Sequence, residues 1–140
     1  MSLRFICKTL MTIKNSLISK KGSCTINLLK KNNIKSDIKL TKCFKILKLL
    51  YLEGFILSYF YDKHLNRIII FNNFYKNKPV INILKVFNKS SFPVYLKYTD
   101  LMTIHKFGID LLILSTSKGL KPHYLCIKQK LGGRLICYIK

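Results

Sequence analysis

Two clusters near the C-terminus have the residue types and spacing to act on an anionic, hydroxyl-rich surface. Ser115-Thr116-Ser117-Lys118-Gly119 follows directly on the apolar run Leu111-Leu112-Ile113-Leu114, and Gly132-Gly133 comes shortly before the end of the chain. Serine and threonine hydroxyls both donate and accept, so three in a row can pair with phosphate oxygens, 2′-hydroxyls or base edges. Lys118 adds a cation, and Gly119 lets the backbone approach a partner closely. Taken alone, the same residues also describe an ordinary Ser/Thr loop before a helix.

Charge narrows the partner. The 140 residues carry 26 Lys plus Arg against 5 Asp plus Glu, a formal net charge of +21. A lone globule with that charge repels itself, so a polyanion is the expected partner. Nucleic acid and membrane surfaces both qualify. No apolar run approaches the ~18–20 residues needed to span a bilayer. The segment 37–53 partly fits an interfacial helix, but the neighbouring strands offer its apolar face a core. A basic membrane-surface protein, or a general RNA binder, therefore stands as the alternative reading.

Catalysis and metal binding find little support. The carboxylates Asp37, Glu53, Asp62, Asp100 and Asp110 form no evident pair, and there is no phosphate-binding glycine loop, nucleophile elbow or His-Glu-x-x-His motif. No enzyme activity, cofactor or small-molecule substrate is expected. Cys7, Cys24, Cys43, Cys126 and Cys137 contain no Cys-x-x-Cys pair, which reads as reduced and mostly buried thiols. His123 and Cys126 are three apart but lack the further ligands that structural zinc needs. His64, His105 and His123 read as loop or surface residues.

The basic residues are 23 Lys and only 3 Arg. Arginine is the better phosphate fork, so the bias follows codon usage instead. Lys, Asn, Ile, Phe and Tyr all have AT-rich codons, as expected of a compact organelle genome, an AT-rich parasite or an endosymbiont. The basic stretch 1–22 has the look of an organellar presequence, but its single arginine argues against one.

The elements fall into two lobes of an α+β fold: an N-terminal α-β-α-β-β lobe over 1–76 and a C-terminal, mostly β lobe with short helices over 77–140. Ile6, Leu10, Ile13 and Leu17 mark a helix from Leu3 to about Ser19. A strand is expected over 24–29 and a Lys/Asn loop over 30–35. A helix capped by Ser36 follows, with Asp37 in its first turn and Leu40, Phe44, Leu47 and Tyr51 on its buried face. Gly54 ends that helix, and strands over 55–61 and 67–71 flank a turn at 62–66. The second lobe reads as strands over 80–87 and 93–98 joined by a turn at 88–91. A short helix over 100–106 follows, then a strand over 109–114 and the hydroxyl loop. A helix with Pro122 in its first position and a Leu120, Tyr124, Ile127, Leu131 stripe comes next, and a strand over 134–139 closes the chain.

From Ser115 to its end the chain resembles the universal small-subunit ribosomal protein eight family. Members carry a Ser-Thr-Ser-(Lys/Gln)-Gly loop, a short helix, a Gly-Gly pair and a terminal strand. Leu50-Tyr51-Leu52-Glu53-Gly54-Phe55-Ile56 is similar to the family's Leu-x-x-Glu-Gly-Phe-Ile helix exit. Leu10-Met11-Thr12-Ile13-Lys14-Asn15 is similar to its first-helix Leu-Thr-x-Ile-(Arg/Lys)-Asn, so the mature fold is expected to include this helix, with no need for a cleavable leader. Pro79-Val80-Ile81 and Val94-Tyr95 fall in the expected order between these blocks. The departures are an insertion near 30–37, Ser90-Ser91 for the family's Pro-Gly turn, Pro93 for a common arginine, Asp110 for a glycine, and Arg134 where the family often has Glu.

The resemblance implies a non-enzymatic constituent of the small ribosomal subunit that binds the central domain of its rRNA beside neighbouring ribosomal proteins. Ser115, Thr116 and Ser117 would then meet an irregular RNA stem, Gly119 would permit close approach, and Lys118 and Arg134 would reach phosphate. Tyr95 would stack on an unpaired base or pack on the sheet. Thr12, Lys14 and Asn15 would touch RNA backbone, and the lysines at 30, 31, 35, 39, 42, 45 and 48 would bind phosphate diffusely. Gly132-Gly133 reads as a tight strand entry rather than a contact. Composition and the insertion favour a mitochondrial ribosome, with a plastid as the other choice.

Overall fold

Ile6, Leu10, Ile13 and Leu17 line one face of helix α1 (Leu3–Ile18), and all four are buried. The four-three-four spacing of these side chains makes a continuous stripe on a 3.6-residue helix. The computed structural model describes residues 3–28, 34–87 and 92–140, and the chain divides into two compact units, Met1–Ile81 and Asn82–Lys140. Residues 30–33 of the expected lysine loop and the turn at Ser90-Ser91 lie outside the described residues, as do the side chains of Lys35, Ser36, Asp37 and Lys39.

In the first unit, β1 (Ser23–Asn27) is followed by α2 (Ile34–Leu52), β2 (Ile56–Asp62) and β3 (Arg67–Asn72). The three strands form an antiparallel sheet in the order β1-β3-β2. A two-residue hairpin, β4 (Phe74–Tyr75) with β5 (Lys78–Pro79), completes the unit. Asp62 Oδ1 accepts the His64 and Leu65 N–H groups at 3.0 and 3.3 Å and so closes the β2–β3 turn. Thr9 joins the helices: its hydroxyl donates to the Phe5 carbonyl at 2.9 Å and lies 3.4 Å from Cys43 Sγ.

Two expectations about α2 are corrected. The helix starts at Ile34, which puts Ser36 inside its first turn rather than at its cap. Its buried face is Cys43, Ile46, Leu47 and Leu50, rotated from the expected stripe, with Tyr51 half exposed. Apolar residues surround this helix on nearly all sides, so several stripes satisfy helical spacing at once. The aromatic members instead form a margin, with Phe44 against Tyr59 and Tyr61 at ring separations of 6.1 and 5.9 Å.

α2 ends as expected at Gly54, which takes φ +77° while Gly54 N–H bonds to Tyr51 and Phe55 N–H bonds to Leu50. This paired closure satisfies carbonyls that a helix end leaves open. The same closure ends α1 with Lys20 (φ 52°) in the left-handed position, where Lys20 N–H bonds to Leu17 and Lys21 N–H to Ser16.

The second unit contains β6 (Leu84–Val86), β7 (Tyr95–Leu96), α3 (Tyr98–Lys106), β8 (Leu111–Thr116), β9 (Gly119–Pro122), α4 (His123–Lys128) and β10 (Gly133–Ile139). β10 is central: β8 pairs along one side of it, while β6 and β7 share the other. The long strands expected over 80–87 and 93–98 are therefore two short ones, each defined by the stretch of β10 it meets. α3 begins at Tyr98, earlier than expected, because the Asp100 carboxylate accepts the Lys97 N–H at 2.9 Å and fixes the first turn. Leu101, Leu112, Leu114, Cys126 and Leu135 form the core between the sheet and the two helices.

Candidate nucleic-acid interface

The hydroxyl segment is a β-hairpin rather than a loop leading to a helix. Ser115 and Thr116 end β8, Gly119 opens β9, and Ser117-Lys118 forms the exposed corner. Gly119 takes φ +98° while the two corner residues keep negative φ. A tight turn followed by one left-handed residue matches the twist of the two strands. Thr116 braces this corner: its hydroxyl donates to the Gly119 carbonyl at 2.9 Å and accepts the Lys118 N–H at 3.2 Å. Its oxygen is thus committed largely to the hairpin, and Ser115 and Ser117 are the serines set to either side of it.

Three of the residues singled out from sequence share one row across the sheet. Arg134 on β10 is paired with Ser115 on β8 and with Tyr95 on β7. Residues opposite one another across antiparallel strands project to the same face. Leu135 N–H bonds to the Val94 carbonyl at 2.8 Å, so the alternating ladder makes Arg134 and Tyr95 a close, non-hydrogen-bonded pair, with Cα atoms about 4.5 Å apart. Tyr95 is 67% exposed, so it is not packed into the sheet. The residues next to them along the three strands, Leu96, Leu114 and Leu135, face the core. A bulge between Leu135 and Cys137 shifts the register just beyond the site, a device that re-aims strand residues.

The glycine pair sets how closely the strands meet. A Cβ on Gly133 would lie 2.5 Å from the Ser115 carbonyl oxygen, and one on Gly132 would lie 2.8 Å from that of Leu96. Only glycine permits both approaches, so the pair holds the Ser115 and Tyr95 strands against β10. Lys121 Nζ donates to Gln129 Oε1 and links β9 to the end of α4.

Thr12, Lys14 and Asn15 belong to the first unit, on α1. Thr12 and Asn15 line a cleft of about 300 Å³ together with Ser19, Lys21, Ser23 and Thr25, whereas Lys14 is half-buried and is not among the lining residues. The expectation of a helix face placed two of the three residues and missed the strand opposite. Ser23 and Thr25 sit at alternate positions of a short strand, and that period was the available signal. Lys42, Lys45 and Lys48 lie on α2 and do not line this cleft.

Among the described residues no cluster of three or more His, Cys, Asp or Glu could hold a metal. The nearest approach is His105 Nδ1 to His123 Nε2 at 3.3 Å. His123, expected in a loop or at the surface, is instead buried because its ring accepts the Leu112 N–H on Nδ1 at 3.2 Å, which places its proton on Nε2. The pair thus shares a hydrogen bond and does not present two lone pairs to one cation. All five cysteines are buried and none is in a disulfide. Burial pushes the thiols of Cys24, Cys43 and Cys126 above their usual range, away from the reactive thiolate.

The ribosomal protein S8 family model matches residues 5–139. A small ribosomal subunit protein uS8 from Blochmanniella pennsylvanica (strain BPEN) is 33% identical over 137 residues, covering 96% of this chain and 95% of its own. The uS8 of Legionella pneumophila (strain Lens) is 34% identical over 98 residues, covering 68% of this chain and 73% of its own. That of Wigglesworthia glossinidia brevipalpis is 33% identical over 96 residues, covering 68% and 73%. From α1 to the hydroxyl hairpin and the strand behind it, the chain belongs to the ribosomal protein S8 family.

Proposed function

We propose that the Ser115–Gly119 hairpin, with Tyr95 and Arg134 beside it, docks on an irregular stem in the central domain of small-subunit rRNA. The chain is a non-enzymatic structural constituent of the small ribosomal subunit and binds rRNA among neighbouring ribosomal proteins. The observation supporting this site is the Tyr95–Arg134–Ser115 row, which sets a ring, a cation and a hydroxyl on one face next to the exposed corner.

A-form RNA shows 2′-hydroxyls in a wide, shallow minor groove and closes its major groove to side chains. Ser115 and Ser117 suit the 2′-hydroxyls, Lys118 and Arg134 the phosphates, and Tyr95 an unpaired base. Arg134 takes phosphate directly, where the family's glutamate needs another partner. Thr12 and Asn15 meet RNA backbone from the first unit, with Lys14 beside them on the same helix. Lysine–phosphate contacts supply affinity without sequence information, so binding weakens steeply with salt.

Ser115→Ala/Thr116→Ala/Ser117→Ala is expected to weaken binding to the central-domain stem about thirtyfold, the two lost serine hydrogen bonds being worth about 1 kcal/mol each. Random duplex RNA should be held nearly as before. Equal losses on both RNAs would remove the hairpin from recognition. The membrane-surface reading has no comparable support, and among the described residues no helix is long and apolar enough to cross a membrane.

We assign the chain to the mitochondrial small subunit, with a plastid as the other organelle that fits. The support is the preference for 23 Lys over 3 Arg and the abundance of other AT-coded residues. The matched relatives are bacterial. Recovery with the small subunit of purified mitochondrial ribosomes is the expected result, and its recovery only from another compartment would overturn the assignment.

A further inference from the structure

The outer face of the first unit's sheet carries side chains that the hairpin site does not use. Strand pairing sets nine residues there in three rows: Ser23–Phe71–Ser58, Thr25–Ile69–Phe60 and Asn27–Arg67–Asp62. The alternate residues Cys24, Ile26, Ile68 and Ile70 are buried, and Tyr59 and Tyr61 meet Phe44 of α2 on that inner side. Phe60 and Phe71 are therefore on the outer face, 60% and 41% exposed. They sit on adjacent strands, offset by one row.

This face runs into the cleft beside α1. Asn72 N–H bonds to the Gly22 carbonyl and Leu28 N–H to that of Asn66. The ladder's alternation then turns the main-chain groups of Ser23 and Thr25 away from β3, toward the open edge of β1. Both residues also line the cleft, opposite Thr12, Asn15 and Ser19. The Thr12 and Ser19 hydroxyls donate to the Lys8 and Asn15 carbonyls at 2.9 Å each, which leaves their oxygens to accept. Lys21 supplies a cation, and among the described residues no carboxylate lines the cleft. Rings, strand-edge amides, hydroxyl acceptors and a lysine thus form one continuous surface.

We propose that this surface binds a run of unpaired RNA nucleotides, with bases stacked on Phe71 and Phe60 and an adjoining ribose-phosphate seated in the α1–β1 cleft. Aromatic side chains on neighbouring strands stack successive bases in sequence-tolerant RNA binders, and hydroxyls and lysines follow the backbone. The net charge of +21 and the absence of acid from the cleft favour RNA over an apolar protein partner, which would leave the cleft's polar groups unmatched. The inference rests on the chain's rRNA binding, but it names a second surface and a second RNA form.

The test uses the full chain and two labelled probes followed by fluorescence anisotropy: a mixed-sequence single-stranded RNA of about twelve nucleotides and the central-domain stem. Phe60→Thr/Phe71→Thr keeps strand propensity while removing both rings. The expected result is at least tenfold weaker single-strand binding with stem binding unchanged, and recovery in Phe60→Tyr/Phe71→Tyr. Unchanged single-strand binding overturns the proposal, as does an equal loss on both probes. Loss of subunit incorporation with RNA binding intact would assign the face to a protein and also overturn it. A wild-type chain that holds the single strand but ignores the stem would sink the hairpin reading and leave this surface standing.

Discussion

Gly133→Ala should reduce binding to the central-domain stem about a hundredfold while destabilising the second unit by about 1–3 kcal/mol, the range for overpacking a close-packed site. The added methyl would stand 2.5 Å from the Ser115 carbonyl oxygen and 3.1 Å from both the Ser115 carbonyl carbon and Thr116 Cγ2. The first two are backbone atoms, so no rotamer change relieves the clash and β8 must move. It carries Ser115 and the braced corner with it, and a displacement of an ångström in a positioned site costs on the order of a hundredfold. Gly22→Ala is the control, since an added methyl there meets nothing within 4 Å. A stable Gly133→Ala protein with native stem affinity would show that the strand spacing does not set the hairpin's position.

His123→Leu should lower the stability of the second unit by about 1–3 kcal/mol, the cost of leaving a buried donor unpaired. β9 ends at Pro122, which is paired with Ile113, so the next outward N–H of β8, that of Leu112, has no strand opposite it. The His123 ring takes the place of that strand. Leucine fills the space but accepts nothing, whereas His123→Gln restores an acceptor and should recover part of the loss. Denaturant unfolding followed by near-ultraviolet dichroism reads the difference. Equal stability in the leucine and glutamine variants would mean that the ring acts by packing alone.

The sequence announced some of these features and concealed others for physical reasons. α1 was legible because its apolar residues form one stripe between polar faces. α2 was legible as a helix but not in its rotation, because Leu40, Cys43, Phe44, Ile46, Leu47, Leu49 and Leu50 allow more than one buried face. The short strands β6 and β7 have little identity of their own and exist where β10 meets them. At the interface, the hydroxyl motif and the glycine pair could be read directly, but their roles shifted. Thr116 turned out to brace the corner, and the glycines to set strand spacing. The adjacency of Tyr95, Arg134 and Ser115 is a matter of register between segments far apart in sequence, which local pattern does not encode. Phe60 and Phe71 were visible as strand residues, yet their outward direction depends on which alternate set meets the helices.

Each described non-glycine residue in the left-handed backbone region is a lysine or an asparagine: Lys20, Asn66, Lys76, Asn77 and Lys130. Lys130 repeats at the end of α4 the closure seen at Lys20, with its own N–H on Ile127 and that of Leu131 on Cys126. Glycine is the residue that takes this conformation freely, and a side chain there costs roughly 1 kcal/mol. Lysine and asparagine have AT-rich codons and glycine GC-rich ones, so the nucleotide bias reaches past the surface charge into the geometry of turns and helix ends. Lys20→Gly and Lys130→Gly should each raise the melting temperature of the isolated chain. The native sequence instead leaves the free protein closer to unfolding, a deficit that binding to its RNA partner offsets by mass action.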